Sequence, residues 1–176
     1  ATDPISAALI IADKTDVRRN RVRNKAKENF DPDVIVVGYG TNNWTWSTKE
    51  DLTADCNQFY KNLCATYPDA KIFAITPVWR KDYQDMREFG AFENVEKGIR
   101  EAVSDLLNVT VIRGYDLVPH DPNCFGDLVL HPNDKGFEYY IKNLIQAIIA
   151  KQSDCNSRFL KVTFLNEGVT IPLESS

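Results

Sequence analysis

The sequence predicts an α/β domain of three layers, in which helices cover both faces of a parallel sheet. Three short stretches are continuously apolar or β-branched, as expected of strands that are buried on both faces: Val34–Val37, Ile72–Ile75 and Val109–Ile112. Segments with helical periodicity separate these stretches and follow the last one. The 176 residues, 43% of them hydrophobic and 26% charged, suffice for one domain with a buried core.

Three segments repeat apolar residues at spacings of three and four, which predicts helices with one buried face. They cover residues 52–63, 92–106 and 137–148. Just before the first of them, Ser47-Thr48-Lys49-Glu50 fits the S-x-x-E capping box. We therefore expect Ser47 to be the N-cap of that helix rather than a nucleophile.

The pattern divides the chain into three parts. Residues 31–152 form the α/β domain, and residues 1–30 form a helical segment with seven basic and four acidic side chains. We interpret its basic tract as a solvated helix face, since it lacks the interleaved aromatic residues that favour the alternative, a phosphate or nucleic-acid contact. Residues 153–176 read as a polar linker followed by a β-hairpin at 159–172.

Composition excludes several classes of function. The net charge of −4 is too small to indicate a nucleic-acid partner, and no apolar run approaches the ~20 residues of a membrane span. The four cysteines form no C-x-x-C pair and there are only two histidines, which argues against a structural zinc site. We expect no metal and no cofactor. The cellular compartment stays open, because the two N-x-[ST] sequons are a pattern that chance often produces.

Polar and aromatic side chains follow each predicted strand, where ligands bind in open α/β sheets. After the first strand, the turn from Gly38 to Trp44 holds Asn42, whose amide could donate to an oxyanion. The alternative is an ordinary tight turn, since Gly and Asn are common turn formers. Large aromatic residues in the same loops are candidates for the wall of a substrate cleft: Trp44, Trp46, Trp79 and Tyr83.

A carboxylate and an imidazole stand close together before the last predicted helix. Asp127 precedes His131 by four residues, so the carboxylate could orient the ring while the other ring nitrogen acts as general base. The alternative is a histidine near a helix start that Asn133 or Asp134 caps. The other histidine, His120, is expected to be a solvated loop residue.

Three motifs occur in a fixed order, and together they are far more specific than any one alone. Gly40-Thr41-Asn42-Asn43 follows the first strand, Thr76-Pro77 ends the second, and Asp127–Asn133 precedes the last helix. They are similar to the G-x-N-D, T-P and D-x-x-H-P-N blocks of GDSL/SGNH-type hydrolases. Residues 33–152 thus resemble the C-terminal two thirds of that superfamily.

The resemblance implies a flavodoxin-like α/β/α sandwich of the SGNH type and a serine esterase that uses no cofactor. By position in the motifs, His131 would be the general base, Asp127 its orienting acid and Asn42 an oxyanion donor. The implied substrates are small-molecule acyl esters or acylated carbohydrates.

The sequence also departs from the superfamily pattern. The G-D-S block that carries the nucleophile is absent, as is the block with the glycine of the oxyanion hole. Asn43 replaces the usual Asp, and Asp127 stands four rather than three residues before His131. Two hypotheses follow: a working or truncated ester hydrolase, or a non-catalytic binding or structural domain that keeps the fold.

A sheet of only three strands would be incomplete at one edge. Such an edge could pair with a second copy of the chain or with a complementing fragment, unless the hairpin at 159–172 covers it. A weaker resemblance links residues 8–24 to a fragment of HD-type phosphohydrolases, in which the position of Asp13 is a metal ligand. The His-Asp pair of that family is missing, and one carboxylate cannot hold a metal.

Overall fold

The computed structural model describes residues 32–153, in which three strands form a parallel sheet and two form a short hairpin. In chain order the strands are β1 (Val34–Gly38), β2 (Lys71–Ile75), β3 (Met86–Arg87), β4 (Gly90–Ala91) and β5 (Val109–Ile112). The sheet has the order β1-β2-β5, and β3 pairs antiparallel with β4. All three strands that the sequence predicts are present within one residue of their predicted ends.

Three α-helices connect and follow the strands: α1 (Lys49–Thr66), α2 (Glu93–Ala102) and α3 (Asp134–Ser153). Each coincides with a segment of predicted periodicity. The predicted apolar pattern runs to Leu106, but helix α2 already ends at Ala102. Beyond it the chain forms turns, in which the N–H groups of Ser104 and Leu106 donate to the carbonyls three residues before them. The apolar pattern continues through those turns since Val103 and Leu106 still pack on the core.

The sheet is the middle layer of three, as predicted. Alternate side chains of β1 and β2 point to opposite faces: Ile35 and Ile72 join the core under α1 and α2, whereas Phe73 and Ile75 join a second core under α3. Burial of each such side chain stabilises the folded state by roughly 1.5–3 kcal/mol. The helices therefore stabilise the sheet from both faces. The loops at the ends of the strands are not part of these two cores.

The N-cap of α1 is Thr48, not the predicted Ser47. The Thr48 hydroxyl accepts a hydrogen bond from the backbone N–H of Asp51 (3.1 Å), which satisfies one of the free donors at the helix start. The Ser47 hydroxyl instead donates to the carbonyl of Asn43 (3.3 Å). The capping residue is thus one position later than the S-x-x-E pattern indicates, and Asp51 takes the third helical position.

Strands β1 and β5 each pair only with β2 among the residues that the structure describes. The predicted basic segment 1–30, the hairpin at 159–172 and the residues similar to HD-type phosphohydrolases lie outside that part of the chain. Within residues 32–153, no helix combines the length and the hydropathy needed to cross a membrane.

Candidate active site

The carboxyl ends of β2 and β5 are held together by a close approach of their backbones. The N–H of Gly114 donates to the Thr76 hydroxyl (3.0 Å), and the N–H of Thr76 donates to the carbonyl of Ile112 (3.0 Å). A Cβ atom at Gly114 would lie 1.7 Å from the Thr76 carbonyl oxygen, so only glycine fits here. The loops that leave these two strands therefore start from a fixed geometry.

The loop between β5 and α3 brings Asp127 and His131 into contact. Oδ2 of Asp127 lies 2.6 Å from Nδ1 of His131. Oδ1 accepts hydrogen bonds from three consecutive backbone N–H groups, those of Val129 (2.9 Å), Leu130 (2.8 Å) and His131 (3.1 Å). One carboxylate thus closes the turn and orients the imidazole.

The hydrogen bonds also determine the charge and the tautomer at this turn. The backbone N–H of Leu130, followed by those of Val129 and His131, holds the pKa of the Asp127 carboxyl well below its ordinary value of 3.8. Because the ionised carboxylate can only accept, Nδ1 of His131 carries the hydrogen of their bond. Nε2 of the neutral ring is then the atom that can take a proton, and the His131 side chain is 76% exposed.

The Asp127–His131 turn is anchored on both sides. The N–H of Gly126 donates to the carbonyl of His131 (2.7 Å), and the N–H of Lys81, in the loop after β2, donates to the carbonyl of Val129 (2.9 Å). Within the turn, Leu128 has a φ of 60°, a left-handed conformation that is unusual for a residue with a side chain. Such a conformation persists only where surrounding contacts enforce it.

Helix α3 begins directly after this turn, with Asn133 as its cap. The Asn133 side chain accepts from the N–H of Gly136 (3.0 Å) and donates to the carbonyl of Asn123 (2.9 Å). A Cβ at Gly136 would lie 2.2 Å from the Cys124 carbonyl oxygen, so glycine lets the helix start pack against the loop. The capped helix start and the Asp127–His131 contact, weighed as alternatives from the sequence, occur together.

Asn42 comes from a different loop, the one after β1. It is exposed and begins a single 3-10 turn at Asn43–Thr45, in which its carbonyl accepts from the N–H of Thr45 (3.1 Å). Its side chain makes no capping hydrogen bond to that turn. The amide of Asn42 therefore belongs to a separate loop at the carboxyl end of the same sheet.

The four aromatic residues expected at a cleft wall differ in exposure. Trp46 is 78% exposed, and Tyr83 is half-buried. Trp44 is buried and donates from Nε1 to the carbonyl of Gly90 (2.9 Å). Trp79 is buried against Phe125, with ring centroids 5.4 Å apart. Trp46 and Tyr83 thus remain accessible to a ligand, whereas Trp44 and Trp79 support the loops from beneath.

His120 is an exposed loop residue, as the sequence predicts, and its ring also makes contacts with its neighbours. Its ring stacks on Trp79 at a centroid distance of 5.5 Å, and its Nε2 lies 3.0 Å from the Tyr115 carbonyl oxygen. A charged cluster, in which Arg80 and Asp82 from the loop after β2 meet Arg87 of β3, is not predicted from the sequence. The three positions do not follow one helical or strand period throughout, so the fold has to bring them together.

Neither serine whose side chain the structure describes in full contacts His131 by a hydrogen bond. Ser47 donates to the Asn43 carbonyl, and Ser104 donates to the carbonyl of Glu101 (2.9 Å). Both hydroxyls thus donate to backbone carbonyls of neighbouring residues. In the described part of the chain, no three His, Cys, Asp or Glu side chains are grouped so that they could hold a metal ion.

A sequence model of the GDSL-like lipase/acylhydrolase family matches residues 8–139, three quarters of the chain. The chain belongs to this family. The resemblance inferred from the three ordered motifs is therefore confirmed. The GDSL-like match begins at residue 8, whereas the motifs indicated a start at residue 33, so most of the basic segment is matched together with the sheet.

Solved structures of GDSL-like and related proteins share the fold. The chain is 22% identical to a GDSL-like lipase from Bacteroides ovatus (TM-score 0.57, covering 71% of this chain and 37% of that one). It is 20% identical to a family two carbohydrate esterase from Clostridium thermocellum in complex with cellohexaose (TM-score 0.56, 72% and 38%). It is 15% identical to a salicylyl-acyltransferase from a tetracycline biosynthetic pathway (TM-score 0.55, 85% and 42%).

At these identities the structural likeness shows the α/β/α fold alone. The GDSL-like chain spans about four tenths of the length of these three solved proteins. No curated protein matches it.

Proposed function

We propose that this GDSL-like domain is part of an ester hydrolase in which His131 is the general base and Asp127 orients it. The proposal depends on the 2.6 Å contact between Asp127 Oδ2 and His131 Nδ1, made by a carboxylate that three backbone N–H groups hold in place. A fixed carboxylate on Nδ1 selects the ring tautomer and stabilises the imidazolium that forms when Nε2 takes a proton. Membership of a lipase/acylhydrolase family supports the same chemistry.

The reaction proceeds by acyl transfer in two stages. His131 Nε2 takes the proton of a hydroxyl group as its oxygen bonds to the ester carbonyl carbon, and the carbonyl oxygen becomes an oxyanion. The imidazolium then gives that proton to the departing alcohol as the ester C–O bond breaks, which leaves an acyl-enzyme. Water repeats the sequence, releases the acid and restores the hydroxyl. Asp127 remains ionised throughout.

Asn42 is the proposed donor to the oxyanion. Its side-chain amide sits on an exposed turn at the carboxyl end of β1, where no capping bond engages it. An amide N–H that is held in place before the reaction stabilises the charge that develops on the carbonyl oxygen. Removing one such donor typically slows the reaction by about 10²–10³-fold.

The proposed nucleophile is a serine other than Ser47 and Ser104. A hydroxyl must come within about 3 Å of His131 Nε2 to be activated, and those of Ser47 and Ser104 are bonded to their own loops. The remaining serines of the sequence are Ser6, Ser153, Ser157, Ser175 and Ser176. Labelling identifies which of them reacts.

Acyl esters, including those of acylated carbohydrates, are the proposed substrates. Trp46 is exposed close to Asn42 in the same loop and offers a flat apolar surface of the kind on which sugar rings stack. The structural likeness to a carbohydrate esterase in complex with cellohexaose supports this class of substrate. Tyr83 would add a second aromatic surface from the loop after β2.

A fluorophosphonate probe tests the proposal directly, because it labels only an activated serine. We expect one labelled serine in the intact chain, identified by peptide mass mapping, and loss of the label in His131→Ala. His120→Ala is the matched control, since it removes the other imidazole and should retain labelling. Labelling that survives His131→Ala in a folded chain would refute the role of His131.

A non-catalytic carbohydrate-binding or structural domain is the second candidate. The observation that favours it is the absence of a Gly-Asp-Ser sequence anywhere in the 176 residues. Such a domain would bind an acylated oligosaccharide without cleaving it. Binding measured by calorimetry, together with no label and no release of acid, would support this candidate over the hydrolase.

A further inference from the structure

Arg87, in the β3–β4 hairpin, bonds both to the Asn42 turn and to the loop after β2. Its Nη1 donates to the Thr45 hydroxyl (2.8 Å), and its Nη2 donates to Oδ2 of Asp82 (2.8 Å). Its guanidinium carbon also lies 3.9 Å from the centroid of the Trp44 ring. A planar guanidinium can make these contacts at the same time, because its donors diverge in one plane.

A second bond ties the same turn to the hairpin. Trp44 donates from Nε1 to the carbonyl of Gly90, and Gly90 is the residue that pairs with Arg87 across the hairpin. Residues 44 and 45 of the turn that Asn42 begins are thus both attached to β3–β4. The backbone N–H of Thr45 donates to the Asn42 carbonyl, so these contacts also hold the backbone of Asn42.

Asp82 is held in turn by a buried arginine. Arg80, which is 5% exposed, donates from Nε and Nη2 to the two oxygens of the Asp82 carboxylate (2.5 and 2.8 Å). The Arg80 hydrogen bond lowers the pKa of Asp82 and keeps it charged. A bidentate pair of this kind has a defined geometry, so it gives Arg87 a fixed partner.

The same loop reaches the other half of the site. Lys81, between Arg80 and Asp82, donates its backbone N–H to the Val129 carbonyl, and Val129 lies in the turn that Asp127 closes. The described contacts therefore form one path from the Asn42 turn through Arg87 and Asp82 to the Asp127–His131 turn.

We propose that Arg87, held by Asp82, is a positioning residue that sets the Asn42 amide relative to the His131 imidazole. Asn42 and His131 come from loops after different strands, and the oxyanion donor and the base must sit at a defined separation for acyl transfer. Arg87 supplies that separation by linking the two loops, without contacting substrate itself. This inference rests on the proposed esterase function.

A double-mutant cycle between Arg87 and Asn42 tests the inference. Arg87→Gln should lower kcat for a short acyl ester about 10- to 100-fold with little change in KM, since misplacing a catalytic group slows chemistry more than binding. In the Asn42→Ala background the same change should cost nothing further, because the donor that Arg87 positions is gone. Equal losses in both backgrounds would overturn the inference.

Arg100→Gln is the matched control. It removes an arginine–carboxylate pair of the same 2.8 Å length, formed with Glu96 within α2, and should leave kcat unchanged. If Arg87→Gln does not fold, Thr45→Val removes only the acceptor of Nη1 while keeping the shape of the side chain, and should lower kcat in the same way. An unchanged kcat in folded Thr45→Val would then count against Arg87.

NMR separates failure of this inference from failure of the esterase proposal. Arg87→Gln should shift the side-chain amide signals of Asn42 and the backbone amide signal of Val129, whereas Arg100→Gln should shift neither. If the wild-type chain cleaves no ester, these shifts still establish the link between the loops. Unmoved Asn42 and Val129 signals in folded Arg87→Gln would overturn it, whatever the activity.

Discussion

Asp127 uses its two carboxylate oxygens for different tasks. Oδ1 accepts the three backbone N–H groups that shape the turn, and Oδ2 contacts Nδ1 of His131. The same side chain therefore contributes to the local fold and to the chemistry of the imidazole. Because each task depends on a different atom, substitutions can separate them.

Asp127→Asn should impair catalysis more than stability. Asparagine keeps one oxygen for the backbone N–H groups, but its NH2 group then faces Nδ1 of His131, where the proposed tautomer needs an acceptor. We expect the rate of ester hydrolysis to fall about 10²–10⁴-fold. Asp127→Ala loses the turn bonds as well, so its Tm should lie below that of Asp127→Asn. Equal Tm values for the two variants would contradict this division of tasks.

The lowered pKa of Asp127 predicts a pH dependence of stability. An unfolded chain takes up a proton near the ordinary value of 3.8, whereas the folded chain does so only at lower pH. The stabilisation by the charged carboxylate is therefore fully present above pH 3.8 and is lost as the pH falls below it. We expect the Tm difference between wild type and Asp127→Asn to shrink below pH 3.8. A Tm difference that widens below pH 3.8 would contradict the lowered pKa of Asp127.

Two neighbouring hydroxyls at the start of α1 make a clear test of helix capping. Thr48 accepts the N–H of Asp51, whereas Ser47 bonds to the preceding turn. Thr48→Ala should lower the free energy of unfolding by about 1 kcal/mol. Ser47→Ala should lower it by less, which denaturant titration of both variants can measure. A larger loss of stability in Ser47→Ala than in Thr48→Ala would indicate that Ser47 is the cap.

The start of α3 depends on a glycine that packs against the loop before it. Gly136→Ala would place a methyl group 2.2 Å from the Cys124 carbonyl oxygen, so the helix start must shift, at a cost of about 1–3 kcal/mol. Gly126→Ala is the control, because the nearest atom there is an ordinary 3.8 Å away. We expect thermal unfolding to give a clearly lower Tm for Gly136→Ala. Similar Tm values would argue against the tight contact.

The regular elements could be predicted because their signal is local. Val34–Val37 and its two counterparts are continuous apolar runs, and each α-helix repeats apolar residues at helical spacing. The β3–β4 hairpin could not, since two residues per strand carry no periodicity. The sequence predicts the cap of α1 one residue too early, since Ser47 and Thr48 are both good capping residues. The hydrogen bond from the Asp51 N–H to the Thr48 hydroxyl decides between them.

Residues of the candidate site were predictable where they lie close in sequence. Asp127 and His131 are four residues apart, and their contact is formed within one turn. The contact between Arg87 and Thr45 joins residues 42 apart, and no pattern in the sequence indicates it. Buried Trp44 likewise looked like a ligand-facing aromatic, because sequence alone does not separate an aromatic that lines a cleft from one that packs beneath it.

The outer edge of β1 is a place where another strand could pair with the sheet. Within residues 32–153 this strand pairs on one side only, and an unpaired edge can accept another strand. Pairing of this edge with a second copy of the chain or with a complementing fragment stays a prediction from the sequence. Light scattering should then give a molar mass that rises with protein concentration. A mass that stays at the monomer value across the whole concentration range would contradict pairing between copies.

The order of the strands in the sheet bears on how the chain assembles during synthesis. Strands β1 and β2 are neighbours both in sequence and in the sheet, so they and α1 can pack while β5 is still being made. Asn42 and its turn emerge with this first unit. The Asp127–His131 turn leaves the ribosome much later and needs the loop after β2 as an anchor. Of the two parts of the candidate site, the Asp127–His131 turn is therefore the later one to form on a ribosome-bound chain.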